Sequence, residues 1–119
     1  MRALNHILST YGIPFLLLSG AALLEVFGDS CFQSALHRSS GSVRVFWFVL
    51  GSLTLALYGL LVNVPKWDFG RLLGVYVVFF FLAAQLVAWV RYHQPMTLPV
   101  RVGSVLIVAG GLIISLWKN

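Results

Sequence analysis

The stretch that decides the class of this protein is GIPFLLLSGAALLEVFGDSCFQSAL, residues 12–36. It is long enough to cross a bilayer as a helix, which takes about 20 mainly apolar residues. Glu25 lies in its middle, and Asp29 follows one helical turn later. Because an acid near the bilayer centre costs about 2.5–3.5 kcal/mol on insertion scales, it is retained where it has a partner or a function. The stretch therefore predicts a membrane span that carries a functional site.

The composition extends this prediction to the whole chain. Of its 119 residues, 60% are hydrophobic and 9% are charged, whereas soluble domains carry about 25% charged residues. The net charge is +5, but the basic residues are isolated and lie beside apolar runs. We therefore expect them to contact membrane lipid headgroups. We expect no nucleic-acid partner, because the sequence has no basic patch or stripe.

Three further apolar runs predict an all-α integral membrane protein with four transmembrane helices. The predicted spans are about residues 12–36, 44–64, 72–92 and 99–117. Lipid offers no partners for unpaired backbone groups, which favours helices, and the short connections make consecutive helices antiparallel neighbours. We expect a single four-helix transmembrane domain over residues 1–119.

The basic residues do not orient the chain in the membrane. They divide evenly between the two predicted sides, with Arg2, Lys66, Arg71 and Lys118 on one and Arg38, Arg44, Arg91 and Arg101 on the other. Orientation is normally set by an imbalance of Lys and Arg. The tie favours dual topology, in which copies insert both ways and pair antiparallel; a chance tie is the alternative.

A polar stripe follows the second half of the first span. Glu25, Asp29, Gln33 and His37 are spaced by four residues and share one helix face. Since such a stripe would be prohibitive against lipid, we expect it to face the bundle interior or a water-filled cavity. A membrane-embedded carboxylate can hold either a proton or a cation, which is the basis of proton-coupled export. The alternative is a structural acid, paired with an Arg or a Tyr of a neighbouring helix.

Other side chains are candidates for lining a pocket around these acids. They are Thr54 and Tyr58 on the second span, and Tyr76 and Gln85 on the third. Aromatic faces attract cations by about 0.5–2 kcal/mol, and a central amide needs a hydrogen-bond partner. For each aromatic residue, ordinary helix packing is the alternative.

The fourth span is rich in small residues. Gly103, Gly110 and Gly111 are the candidates for a dimer contact, because small residues let membrane helices approach closely. Packing within one chain is the alternative. In the connection before the third span, Asp68 and Arg71 predict an ion pair.

Enzyme and cofactor signatures are absent from the sequence. The three histidines, His6, His37 and His93, are far apart, so no metal site is predicted. Nucleotide-binding glycine motifs and nucleophile motifs are also missing. We expect neither enzyme activity nor a cofactor.

With these features the chain resembles the small multidrug resistance superfamily and is most similar to its YnfA-like branch. The resemblance covers about residues 13–117 and rests on short motifs. These are ALLEVFG at 22–28, GR at 70–71 with GVYV at 74–77, and GSVLIVAGGLII at 103–114. The chain departs from the family where FFFLAA, residues 79–84, replaces a Gly-rich hinge, and at Asp29, which is an extra acid.

The resemblance implies a proton-coupled exporter of small or lipophilic cations in the bacterial inner membrane. It further implies a dimer, antiparallel or otherwise paired, in which Glu25 of each subunit binds a proton and a cationic substrate alternately and the fourth helices form much of the contact. A homodimer and a heterodimer both fit. Two other functions remain open: a carrier or half-flippase for a lipid-like substrate, and a non-transporting membrane subunit.

Overall fold

The computed structural model describes residues 2–7, 10 and 12–117, and within them every regular element is a helix. The helices are α1 (Arg2–Ile7), α2 (Ile13–His37), α3 (Gly41–Val62), α4 (Phe69–Val90) and α5 (Leu98–Leu116). Lys118, one of the eight residues in the predicted charge tie, lies outside the described residues. The prediction of an all-helical chain is confirmed for the part that is described.

Four of these helices, α2 to α5, are long and apolar enough to span a membrane. This confirms the four predicted spans, although α3 and α4 each begin three residues earlier than expected, at Gly41 and Phe69. Hydropathy marks only the apolar part of a helix, whereas its backbone hydrogen bonds continue to the cap. Pro14 and Pro99 lie in the first turns of α2 and α5, where the missing N–H would have had no partner in the helix.

Hydroxyl groups inside these apolar helices are satisfied by the backbone of their own helix. The side chains of Ser19, Thr54 and Ser104 each donate to the carbonyl four residues earlier, at 2.6–2.8 Å. Such bonds remove the penalty of an unpaired polar group in an apolar environment. These hydroxyls are therefore compatible with membrane spans.

The chain forms two compact units, which we call unit 1 (up to Pro65, with α1 to α3) and unit 2 (from Lys66, with α4 and α5). In unit 1, α2 and α3 approach so closely that two glycines contact the opposite backbone. A Cβ added at Gly51 would lie 3.1 Å from the Gly28 carbonyl oxygen and 3.0 Å from Cys31 Cβ. A Cβ at Gly28 would lie 2.7 Å from Leu55 Cδ2. Small residues thus hold α2 and α3 together.

Unit 2 is held by two different kinds of contact. Gly111 of α5 packs against the Val78 side chain of α4, with no room for a Cβ between them. One turn further along α5, the Ser115 carbonyl oxygen accepts a 2.8 Å hydrogen bond from Arg71 Nη2. Since Ser115 lies in the last turn of α5, the Arg71 cation also stabilises the negative end of that helix dipole.

Arg71 does not form the ion pair that the sequence predicted. Besides its bond to Ser115, its guanidinium carbon lies 5.2 Å from the centroid of the Trp67 ring. Asp68 instead precedes α4 as its N-cap residue, and its carbonyl accepts a 2.8 Å hydrogen bond from the Leu72 N–H. The sequence could not reveal this, because Arg71 and Ser115 are 44 residues apart.

Candidate functional site

Glu25 is the central residue of the 25-residue helix α2. At 1.5 Å per residue, it lies about 18 Å from either end, which places it near the middle of a bilayer that α2 would span. The side chain is half-buried, and it takes part in interactions within the chain. Glu25 is therefore the deepest charged residue of unit 1 and the natural centre of a candidate site.

The rest of the polar stripe lies open in the single chain. Asp29, Gln33 and His37 are exposed, while Gly28 and Cys31 of the same helix are buried against α3. The stripe was expected to face the bundle interior or a cavity, and unit 1 by itself does not enclose it. A helix that spans a membrane needs another surface, or water, to cover these side chains.

The four predicted pocket residues divide between the two units. Thr54 and Tyr58 belong to α3, in unit 1 with the acids, and Tyr76 and Gln85 belong to α4 in unit 2. Thr54 is buried, and its hydroxyl proton is used in the bond to the Leu50 carbonyl at 2.8 Å. The hydroxyl oxygen keeps its lone pairs, so Thr54 can still accept a hydrogen bond.

Tyr58 and Tyr76 differ in burial. Tyr58 is half-buried, and Tyr76 is buried, with its ring centroid 6.3 Å from that of Phe80. The Tyr76 ring thus packs along α4 against Phe80. Both tyrosines take part in further interactions within the chain.

Gln85 opens onto a cavity of about 500 Å³ in unit 2, which we call the unit 2 groove. The groove lies between the last turns of α4, the connection that follows and the first turn of α5. Its lining residues are Leu82, Gln85, Leu86, Trp89, Pro95, Met96 and Arg101. Sequence reasoning missed this site, although Gln85 and Trp89 are four residues apart on one face of α4. The sequence did not show that Arg101 also lines the groove, because only the α4–α5 hairpin brings Arg101 there.

The small residues of α5 fall into two groups. Gly111 packs against Val78 within unit 2, whereas a Cβ added at Gly103 or Gly110 would meet nothing within 4 Å. Gly111 therefore contributes to packing within unit 2. Gly103 and Gly110 stay available for a contact with another surface.

In the part of the chain that the structure describes, no three His, Cys, Asp or Glu side chains form a group that could hold a metal ion. Cys31, the only cysteine of the sequence, is buried and packs near Gly51. The chemistry that α2 offers is that of two carboxyl groups, at Glu25 and Asp29.

Comparison with protein-family models, characterised proteins and solved structures finds no match to this chain. The class is therefore defined by the chain itself: a helical protein with four helices long and apolar enough to span a membrane, which indicates a multi-pass membrane protein.

Proposed function

We propose that this protein is a proton-coupled exporter of small or lipophilic cations, resembling the small multidrug resistance superfamily and its YnfA-like branch. Glu25 would be the shared site of proton and substrate. The observation that carries the proposal is the place of Glu25 at the centre of α2, half-buried and about 18 Å from either end of the helix.

The charge distribution of the spans supports a cationic substrate. Glu25 and Asp29 are the only acids within the four long helices, and both lie on α2. A carboxylate attracts a cation strongly where the dielectric constant is low. When a proton occupies the carboxyl group, the attraction is lost, so proton and cation exclude each other. An inward proton gradient could then drive export of the cation in exchange.

The proposal includes a dimer, which the exposed polar stripe supports. Asp29, Gln33 and His37 need cover in a membrane, and a second copy is the simplest source. Gly103 and Gly110 supply an open small-residue face on α5 for a helix–helix contact. The even division of the basic residues favours an antiparallel pair with dual topology.

Uptake into proteoliposomes tests the proposal. An imposed pH gradient should drive accumulation of an organic cation by the native protein, and Glu25→Gln should abolish it while leaving the dimer assembled, because the amide keeps the shape but cannot ionise. Asp68→Asn is the matched control, since Asp68 lies in the connection before α4, and it should transport normally. Normal gradient-driven uptake by Glu25→Gln would refute the proposal.

A further inference from the structure

The unit 2 groove lies where lipid headgroups would meet the protein. Gln85 is five residues before the end of α4 and Arg101 is three residues after the start of α5, so both lie about 5–8 Å below the helix ends. Trp89, at the mouth of the groove, is 62% exposed, and exposed Trp is typical of the membrane–water interface. The groove thus opens at headgroup depth and extends towards the hydrocarbon.

The charges around the groove favour an anion. Residues 69–117 contain no Asp or Glu, and the only acid of unit 2, Asp68, lies at the opposite end of α4. Arg101 lines the groove, and Arg91 and His93 lie in the connection beside it. An anionic ligand would therefore meet positive charge and no acidic side chain of this unit.

Two polar side chains in the groove can donate hydrogen bonds to such a ligand. Among the described residues, neither the Gln85 amide nor the Arg101 guanidinium donates to another protein group. A guanidinium binds a phosphate through two parallel N–H groups. Gln85 adds amide donors on the α4 side of the groove. This pair matches the phosphate and the polar linkage of a phospholipid.

The remaining walls are apolar and lead away from the helix ends. Leu86 and Leu82 lie on the same face of α4 as Trp89, one and two turns deeper, and are 52% and 46% exposed. A soluble anion would leave these side chains uncovered, whereas an acyl chain would cover them. The volume of about 500 Å³ is that of a typical ligand site, which ranges over about 300–1,000 Å³.

We infer that the unit 2 groove binds an anionic phospholipid, with its phosphate on Arg101 and Gln85 and an acyl chain against Leu82 and Leu86. The inference concerns a bound lipid of the surrounding membrane and is independent of the proposed cation transport at Glu25. The +5 net charge of the chain agrees with anionic lipid, but the groove gives that attraction a specific place.

Native mass spectrometry of the full-length protein tests this inference. Phosphatidylglycerol and phosphatidylcholine with identical acyl chains are titrated onto delipidated protein. We expect phosphatidylglycerol to bind about tenfold more tightly, because its headgroup has a net negative charge, whereas the choline cation of phosphatidylcholine offsets the phosphate charge beside Arg101. Arg101→Gln should abolish the preference, since the positive charge that distinguishes the two headgroups is lost. Arg91→Gln is the matched control: Arg91 has the same charge at the same helix ends but does not line the groove. It should keep the preference within about twofold.

A second measurement does not require the protein–lipid complex to survive transfer to the gas phase. In vesicles, a variant with Trp47, Trp67 and Trp117 replaced by Phe leaves Trp89 as the only tryptophan, which can be excited selectively. Brominated phosphatidylglycerol should quench Trp89 more than brominated phosphatidylcholine at equal mole fraction, and Arg101→Gln should equalise the two.

Four results would overturn the inference. Equal binding of the two lipids would exclude headgroup selection, and equal loss in Arg91→Gln would indicate a diffuse basic surface. Displacement of the lipid by millimolar glycerol phosphate would assign the groove to a soluble anion. Efficient disulfide formation between Leu86→Cys copies in a lipid-filled membrane would assign it to a second copy of the chain.

Discussion

Each of the two units pairs two apolar helices, but different contacts hold the two pairs together. In unit 1, α2 and α3 are in backbone contact at Gly28 and Gly51, and α2 is the most buried span of the chain. In unit 2, α4 and α5 meet through Val78 and Gly111 and are tied by Arg71. The described part of unit 2 also contains the groove of about 500 Å³ beside Gln85 and Arg101.

The units also differ in charge, and the difference concerns function. Both acids of the long helices lie in unit 1, and the acid-free stretch from Phe69 to Trp117 lies in unit 2. Unit 1 thus carries groups that attract cations, and unit 2 carries Arg101 in a groove that suits an anion. The comparison assigns the proposed cation exchange and the proposed lipid binding to separate hairpins.

The largest effect is expected on cation uptake, which should depend on Glu25 of unit 1 and not on Arg101 of unit 2. Glu25→Gln should reduce gradient-driven cation uptake to the background of empty vesicles, because the exchangeable charge is gone. Arg101→Gln should leave uptake within about twofold of the native rate in vesicles of neutral lipid, where no anionic lipid is present to be lost. If Arg101→Gln abolished uptake there, the functional separation of the units would be wrong.

The next effect concerns the backbone contact of unit 1. Gly51→Leu should destabilise the protein by about 3 kcal/mol, at the upper end of the cost of overpacking, because its side chain would meet the Gly28 carbonyl and Cys31. Thermal unfolding in detergent measures this loss. Gly59→Leu on the same helix is the control, since a Cβ at Gly59 meets nothing within 4 Å, and its melting temperature should stay near that of the native protein.

In unit 2, substitutions at the two neighbouring glycines of α5 should distinguish an effect on folding from an effect on dimer assembly. Gly111→Leu would clash with Val78 and should destabilise the protein by about 1–3 kcal/mol. Gly110→Leu has space within the chain, so it should fold normally but weaken the proposed dimer, which cross-linking in membranes would detect. Stable dimers of Gly110→Leu would remove α5 from the proposed dimer contact.

A smaller effect is expected at the Arg71 tie. Arg71→Gln should destabilise the protein by about 1 kcal/mol, the scale of one helix-terminal charge with its hydrogen bond. Lysine at the same position should restore part of the loss, since it keeps the charge at the end of α5. Lys66→Gln, at an exposed position in the connection before α4, should have no measurable effect on the melting temperature.

The two units also show which features of the structure could be predicted from the sequence and which could not. Hydropathy located all four spans, because length and composition suffice for that, and the cost of a central acid singled out Glu25. Which glycine contacts which helix was not predictable, because it depends on the register between two helices. Gly51 lies on α3 near Thr54 and packs against Gly28 and Cys31 of α2.

The groove was unpredictable for a related reason. Gln85 lies on α4 and Arg101 lies on α5, and only the geometry of the α4–α5 hairpin brings them to one cavity. The Arg71 contact with Ser115 is equally non-local. Polar residues on α2 were simpler to interpret, since a spacing of four residues on one helix needs no tertiary information.

Proton release on cation binding tests the central claim most directly. Purified protein in weakly buffered detergent solution is mixed with a panel of organic cations, and the change in pH is recorded. We predict that at least one cation releases protons from the native protein and from Asp68→Asn but not from Glu25→Gln. Equal release from Glu25→Gln, or binding of a transported cation without any release, would contradict proton–cation exchange at Glu25.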